Sequence, residues 1–315
     1  MIVLARRRPE LVCLLLVTVA TVSGAAACGR STTDAPVPPP RASVPDALEP
    51  SAAVVAPASV DGASAPPRST GVLPEVDTDW CLEGWRGLDE GTCYLVPDGW
   101  PGRAPRRLLI YLSGIVPPVA RSPQKENVQR IVAAAARRAG AVALLPRGRR
   151  GIGPRNAKDW WAWPTSASDY AAHASTMVSE WSAARVKLEA ALGTFDRTYL
   201  AGSSSGAYFL TALALRGAVE TDGYAAASGG ATGLGASRAS AAKKRPFYVG
   251  YASGDGTNAG PKALGAFLRA AGWPVRIAEH PGGHGAREVY LDEAFELWDA
   301  WEPDAGAARR DDAQP

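Results

Sequence analysis

The sequence has few of the residues on which metal and nucleic-acid sites depend. Its 315 residues include only three histidines and four cysteines, and no H-E-x-x-H, Walker or calcium-loop motif. The 34 basic and 31 acidic residues leave a formal net charge of +3, and residues 6–10 supply +2 of it. GRRGIG at 148–153 superficially matches a nucleotide-binding motif but does not open a helix. The sequence therefore gives no reason to expect a metal, an organic cofactor or a nucleic-acid partner.

The N-terminus has the layout of an export signal. Three arginines precede an apolar run at residues 11–22, which is too short to span a bilayer comfortably. The AAAC that ends at Cys28 resembles a bacterial lipobox, although Ala25 stands where leucine is usual. Ala25 and Ala27 also fit the A-x-A cleavage pattern of ordinary secretion. We expect a signal peptide over 1–27 and an exported protein, either anchored to the cell envelope by a lipid on Cys28 or released to the periplasm or medium.

Composition separates three further segments. Residues 28–78 are dominated by Pro, Ala and Ser without sustained periodicity, which indicates an extended, disordered tether. Residues 304–315 read as a polar tail. The segment between them, 79–303, has the length and pattern of one catalytic domain.

Two cysteines fall within that domain. Cys81 and Cys93 flank a glycine-rich turn in WCLEGWRGLDEGTCYL. In an exported protein, this spacing predicts a disulfide that closes a hairpin. A metal site is the weaker interpretation, because no second cysteine pair or nearby histidine completes a four-ligand set.

Short apolar runs alternate with helical patterns along the domain. A helix is expected after the cap Ser122, with Pro123 in its first turn and Gly140 at its end, and a longer one over 167–192 after the cap Ser166. The strands are expected at 106–114, 141–146, 197–202, 223–228, 247–253 and 275–280. This alternation predicts a mostly parallel sheet with helices on both faces, and functional residues at the carboxyl ends of its strands.

The stretch GSSSG at 202–206 stands between a predicted strand and a predicted helix. Of its three serines, only Ser204 has glycine two residues before and two residues after it. In this strand-turn-helix context G-x-S-x-G marks a nucleophilic serine, because side chains at the glycine positions would collide with neighbouring backbone. A helix N-terminus under the serine also stabilises negative charge.

A serine hydroxyl needs a base, and three histidines are available. His284 lies in a glycine-rich loop after the last predicted strand, which makes it the preferred base. His280 ends that strand and remains an alternative, whereas His173 falls inside the long predicted helix. The base needs an acid in turn, and Asp255 follows the strand before it in ASGDGTN. Its alternative role is that of a turn residue, as SGDG is favourable turn chemistry.

The order Ser204, Asp255, His284 resembles that of the α/β-hydrolase superfamily. Residues 79–303 look like its secreted esterases, polyhydroxyalkanoate depolymerases and dienelactone hydrolases. The resemblance implies a three-layer α/β-hydrolase fold without a large cap domain. It also implies an oxyanion hole made by the backbone N–H groups of Ile115 and Ser205. Many relatives carry His-Gly at the end of the first parallel strand, where this chain has Ser113 and Gly114.

An aromatic loop, DWWAWP, follows the strand at 141–146. Trp160, Trp161 and Trp163 are expected either to wall the substrate pocket or to pack the loop onto the core. The sequence thus predicts a serine hydrolase that cleaves carboxylic esters of small molecules or polymers through an acyl-enzyme on Ser204. An acyltransferase, a serine peptidase with the same residues and a non-catalytic tethered binding protein are the alternatives.

Overall fold

An eight-stranded sheet forms the centre of the protein in the computed structural model, which describes residues 71–101 and 105–301. The predicted signal peptide, Cys28, the tail at 304–315 and the tether before residue 71 lie outside these residues. The strands are β1 Arg86–Asp89, β2 Thr92–Leu95, β3 Arg107–Leu112, β4 Ala141–Pro146, β5 Arg197–Ser203, β6 Gly223–Ala227, β7 Phe247–Ala252 and β8 Val275–His280. The helices are α1 Pro123–Ala139, α2 Ala167–Leu192, α3 Ser205–Arg216, α4 Ala259–Ala270 and α5 Glu288–Ala300.

The strand order across the sheet is β1-β2-β4-β3-β5-β6-β7-β8. β2 runs antiparallel to both of its neighbours, and every later pair is parallel. All strands from β3 onward therefore end at the same edge of the sheet, and their following loops meet there.

Alternating side chains of the strands build a hydrophobic core on each face of the sheet. In β3, Leu108, Ile110 and Leu112 point to the face that α2, α3 and α4 cover. Leu109 and Tyr111 point to the opposite face, which α1 and α5 cover. Strands buried on both faces explain the nearly continuous apolar runs in the sequence. This arrangement confirms the predicted three-layer α/β-hydrolase fold.

The predicted helix caps are present. The Ser122 hydroxyl accepts the Lys125 backbone N–H at 3.2 Å, and Gly140 ends α1 in the left-handed conformation with φ 61°. Ser166 accepts the Asp169 N–H at 3.1 Å at the start of α2. α4 begins at Ala259, two residues before Pro261. Among the described helices, none is long and apolar enough to cross a membrane.

Covalent and polar links join the hairpin of β1 and β2 to the chain that precedes it. Cys81 and Cys93 form the predicted disulfide, with a Cα–Cα distance of 5.5 Å, joining the segment before β1 to β2. The end of the predicted tether also pairs with this hairpin: the Val76 N–H donates to the Gly87 carbonyl at 2.8 Å. The Tyr94 hydroxyl donates to the Pro74 carbonyl, also at 2.8 Å.

Replacing both Cys81 and Cys93 with serine should lower the free energy of unfolding by about 2 to 4 kcal/mol. The bond closes a short loop and so restricts the unfolded chain. Denaturant titration with and without a reductant measures the effect. Reductant should destabilise the wild type and leave the double variant unchanged; equal stability of the two proteins without reductant would contradict the prediction.

Candidate active site

Ser204 occupies a strained backbone turn between β5 and α3. Its φ is 51° and its ψ −121°, a combination that residues other than glycine rarely adopt. The residue is partly exposed, while its neighbours on both sides are buried. The turn therefore presents one side chain at the carboxyl edge of the sheet, directly above the N-terminus of α3.

The glycines around Ser204 allow the close approach of neighbouring backbone. A Cβ on Gly206 would lie 2.2 Å from the Leu112 carbonyl oxygen, and one on Gly202 would lie 2.8 Å from the same atom. The glycine spacing of G-x-S-x-G thus has the physical cause expected from the sequence. Gly114 passes close to the serine as well, since a Cβ there would lie 3.2 Å from the Ser204 Cβ.

The structure brings Ser204, His284 and Asp255 into one chain of hydrogen bonds. His284 Nε2 lies 2.9 Å from Ser204 Oγ, and His284 Nδ1 lies 2.8 Å from Asp255 Oδ2. Asp255 follows β7 and His284 follows β8, so the three residues come from three strand ends at the same edge of the sheet. With a proton on Nδ1, Nε2 is free to accept the serine proton.

Asp255 is only 3% exposed, and its Oδ1 accepts two hydrogen bonds from Thr257. The Thr257 N–H donates to Oδ1 at 2.9 Å and the Thr257 hydroxyl at 2.7 Å. Burial by itself would raise the pKa of Asp255, but the hydrogen bonds from Thr257 and His284 outweigh it and lower the pKa below its ordinary value. The group beside His284 therefore stays a carboxylate in mildly acidic solution.

The other two histidines lie elsewhere. His280 Nε2 is 3.2 Å from Glu293 Oε2, on the side of the sheet that α5 covers. His173 lies within α2, and its side chain makes no hydrogen bond or ion pair within the part of the chain that the structure describes. Neither contacts Ser204.

Ile115 and Ser205 line the same cleft as Ser204. Among the described residues, neither N–H takes part in a backbone hydrogen bond. Ser205 is the first residue of α3, where the helix leaves its N–H groups without internal partners. Ser113 is buried, and its carbonyl accepts the indole N–H of Trp163 at 2.8 Å.

The three tryptophans of the aromatic loop have different surroundings. Trp163 is 1% exposed, stacks on Phe209 with a centroid distance of 5.9 Å, and borders a cleft beside Ser204. Trp161 pairs with Val116 through backbone hydrogen bonds and lies under the Arg147 guanidinium. Neither Trp160 nor Trp161 lines either of the two clefts at Ser204. Trp163 therefore does both of the things expected of the aromatic loop, because it packs onto the core and also lines the cleft beside Ser204.

Sequence reasoning missed Ser228, at the end of β6. It is fully buried, adopts φ 48°, and donates its hydroxyl to the Gly285 carbonyl at 3.0 Å. Besides Ser204 it is the only described non-glycine residue with a positive φ. Nothing in the sequence around the end of this strand distinguishes Ser228 from the other serines of the chain. Arg287 supports the same loop by donating to the carbonyls of Pro281 and Gly283 at 2.6 and 3.2 Å.

Two clefts meet at Ser204. The larger, about 830 Å³, is lined by Ile152, Trp163, Tyr208 and Leu234 among others. The smaller, about 670 Å³, includes His284 and the side chains of Gln124, Asn127 and Val128. Ile115 borders both. In the described part of the chain, no group of three or more His, Cys, Asp and Glu side chains is arranged to hold a metal ion.

Comparisons with known proteins find solved structures only. No protein-family model matches the sequence, and no curated protein does. Esterase PE8 is 20% identical, with 65% of this chain and 96% of that chain covered and a TM-score of 0.49. Arabidopsis thaliana SOBER1 is 18% identical over 62% and 98%, with a TM-score of 0.44, and Bacillus cereus carboxylesterase is 14% identical over 66% and 92%, with 0.46. Similarity this low carries no information on activity, so the fold assignment rests on the strand order and helix placement.

Replacing Asp255 with asparagine should destabilise the fold in a pH-dependent way. A carboxyl group whose folded pKa is below its ordinary 3.8 stabilises the protein above that pH and loses its contribution as pH falls through the folded value. The difference in unfolding free energy between wild type and Asp255→Asn should therefore be largest above about pH 5 and shrink below about pH 4. Urea titrations at several pH values measure it, and a pH-independent difference would contradict the prediction.

Proposed function

We propose that this protein is a serine hydrolase that cleaves carboxylic esters through an acyl-enzyme on Ser204. The observation that carries the proposal is the hydrogen-bonded chain from Ser204 Oγ through both nitrogens of His284 to the buried Asp255 carboxylate. The strained turn at Ser204 supports it, because backbone strain on a partly exposed residue persists where the surroundings maintain it, often at functional sites.

In the first half of the reaction, Ser204 Oγ attacks the ester carbonyl carbon while His284 Nε2 takes the hydroxyl proton. The carbonyl π electrons move to its oxygen, and the N–H groups of Ile115 and Ser205 donate to that oxyanion. One such donor is typically worth about 3 kcal/mol of barrier lowering. The C–O bond to the alcohol then breaks, and His284 returns the proton to the departing oxygen.

Water completes the cycle. His284 takes a proton from a water molecule that attacks the acyl-enzyme carbonyl. As this second intermediate collapses, the bond from the carbonyl carbon to Ser204 Oγ breaks, His284 returns the proton to Oγ, and the carboxylic acid leaves. Asp255 holds Nδ1 of His284 protonated and stabilises the imidazolium that forms twice in each turnover. This cycle needs no metal or organic cofactor.

We also propose that the enzyme acts outside the cytoplasm. The N-terminal segment has the layout of an export signal, and the Cys81–Cys93 disulfide is typical of an oxidising compartment. A lipid on Cys28 would hold the catalytic domain near the membrane through the Pro-rich residues that follow it.

Labelling with a fluorophosphonate probe tests the mechanism. The wild type should form an adduct that mass spectrometry maps to Ser204 and should hydrolyse p-nitrophenyl esters. Ser204→Ala and His284→Ala should each lower kcat by about 10⁴-fold or more, since the groups act as a unit. His173→Ala is the matched control and should behave as the wild type.

Retained turnover in folded Ser204→Ala would overturn the mechanism. Labelling of Ser204 without hydrolysis, together with ester products when an acceptor alcohol is added, would instead identify an acyltransferase. Absence of both labelling and turnover would favour a tethered binding protein.

Ser228 should act as a positioning residue for His284. Ser228→Ala removes the hydroxyl that holds the Gly285 carbonyl, so kcat should fall about tenfold with little change in KM. Ser228→Gly removes the same hydroxyl and also relieves the strain of the positive φ. If the hydrogen bond matters, both variants are equally slow although the glycine variant is the more stable. Normal kcat in Ser228→Gly would contradict this role.

A further inference from the structure

The two clefts at Ser204 differ in which catalytic groups they contain. We propose that they divide the substrate, the larger cleft binding an uncharged, apolar acyl group and the smaller cleft binding a polar alcohol. This inference rests on the proposed function, because it assigns the two halves of an ester to two sides of the same serine.

The position of His284 sets the orientation. Its imidazole must return a proton to the departing alcohol oxygen, so this oxygen has to lie on the His284 side of the tetrahedral carbon. His284 lines the smaller cleft and not the larger one. Ser205, whose N–H faces the oxyanion in the proposed mechanism, lines only the larger cleft. The remaining bond of the tetrahedral carbon, which leads to the acyl chain, is therefore directed into the larger cleft.

The walls of the larger cleft define the acyl group. Ile152, Trp163, Tyr208 and Leu234 supply mostly apolar surface, and the cleft holds about 830 Å³. Trp163 is held rigidly in this wall, because its ring stacks on Phe209 and its indole N–H donates to the Ser113 carbonyl. An acetyl group would leave most of this space empty, whereas a medium-length or aromatic acyl group would bury apolar surface.

The charged residues that line the larger cleft restrict which acyl groups it can bind. Asp169 is the charged residue among those that line the larger cleft, and no lysine, arginine or histidine of the described chain lines it. Its carboxylate accepts the Ser166 hydroxyl at 2.6 Å at the start of α2. An acyl chain that carries its own carboxylate would meet repulsion without a compensating cation, so the cleft selects uncharged acyl groups.

Two amide residues of α1 line the smaller cleft. Gln124 and Asn127 are exposed residues in the first turns of α1, and they line this cleft together with Val116 and Val128. The Asn127 Oδ1 accepts a hydrogen bond from the Arg130 guanidinium at 3.0 Å, so the Asn127 NH2 and the whole Gln124 amide remain for a ligand. Amides donate and accept hydrogen bonds, and they suit an alcohol that carries further hydroxyl groups. An ester of a medium-length fatty acid with a polyol has this division of apolar and polar halves.

Two substitutions can fill the clefts separately. A Cβ on Gly233, in the larger cleft, would meet no atom within 4 Å, and its φ lies outside the range that favours glycine. Gly233→Trp should therefore enter the acyl side, while Asn127→Trp enters the alcohol side. Ser237→Trp, at an exposed position that lines neither cleft, is the matched control.

Ratios of kcat/KM within two ester series, measured on the full-length protein, test the assignment. The acyl series compares p-nitrophenyl octanoate with p-nitrophenyl acetate, and the alcohol series compares glyceryl monooctanoate with methyl octanoate. Wild type should prefer the first ester of each pair. Gly233→Trp should lower the acyl ratio by about tenfold or more, and Asn127→Trp should lower the alcohol ratio. Ser237→Trp should change neither ratio.

The outcomes separate this inference from the proposed function. Exchange of the two effects between the variants, no effect in either, or a wild-type preference for acetyl esters would overturn the division. A preference for succinyl monoesters over octanoyl esters would overturn the assignment to uncharged acyl groups. Failure of the proposed function would give a different result: the wild type would hydrolyse none of these esters and would not react with the fluorophosphonate at Ser204.

Discussion

The sharp turn at Ser204 is the constraint on which the rest of the site depends. The backbone of Ser204 has φ 51° where β5 ends and α3 begins. Three neighbouring segments pack closely around this turn, each at a glycine. Gly206, in α3, leaves room for the end of β3. Gly114, in the loop after β3, and Gly229, in the loop after β6, both pack directly against Ser204; a Cβ on Gly229 would lie 2.6 Å from the Ser204 carbonyl oxygen. Because all three segments are fixed by a sheet buried on both faces, the strain is held rather than relaxed.

The parallel sheet converts this turn into a cluster of catalytic groups. Strands β5 to β8 end at one edge, so Ser204, Ser228, Asp255 and His284 emerge side by side from four consecutive strand ends. The loop that carries His284 is held by hydrogen bonds to its backbone carbonyls, which Ser228 and Arg287 donate. Rigid strands thus place the nucleophile, while hydrogen bonds between loops place the base.

The aromatic loop shows where local sequence is ambiguous. Three tryptophans within four residues gave no indication of which faced the site, because the loop has no regular period. The structure separates them: Trp163 enters the core and forms a cleft wall, and Trp161 is held against Val116 and Arg147. Their orientations follow from a backbone pairing between two loops that are distant in sequence, and propensity does not encode such a pairing.

The sequence by itself determined the strands β3 to β8 and the helices α1 and α2 to within two residues, the three-layer fold, and the disulfide between Cys81 and Cys93, whereas it predicted β1 and β2 only as a hairpin. Periodicity, caps such as Ser122 and Gly140, and glycine spacing act over a few residues, so a single chain reveals them. Only the tertiary structure decided the support of the histidine loop by Ser228 and the existence of two clefts at Ser204. These features depend on contacts between strand ends far apart in the chain, which exist only after the sheet brings the ends together.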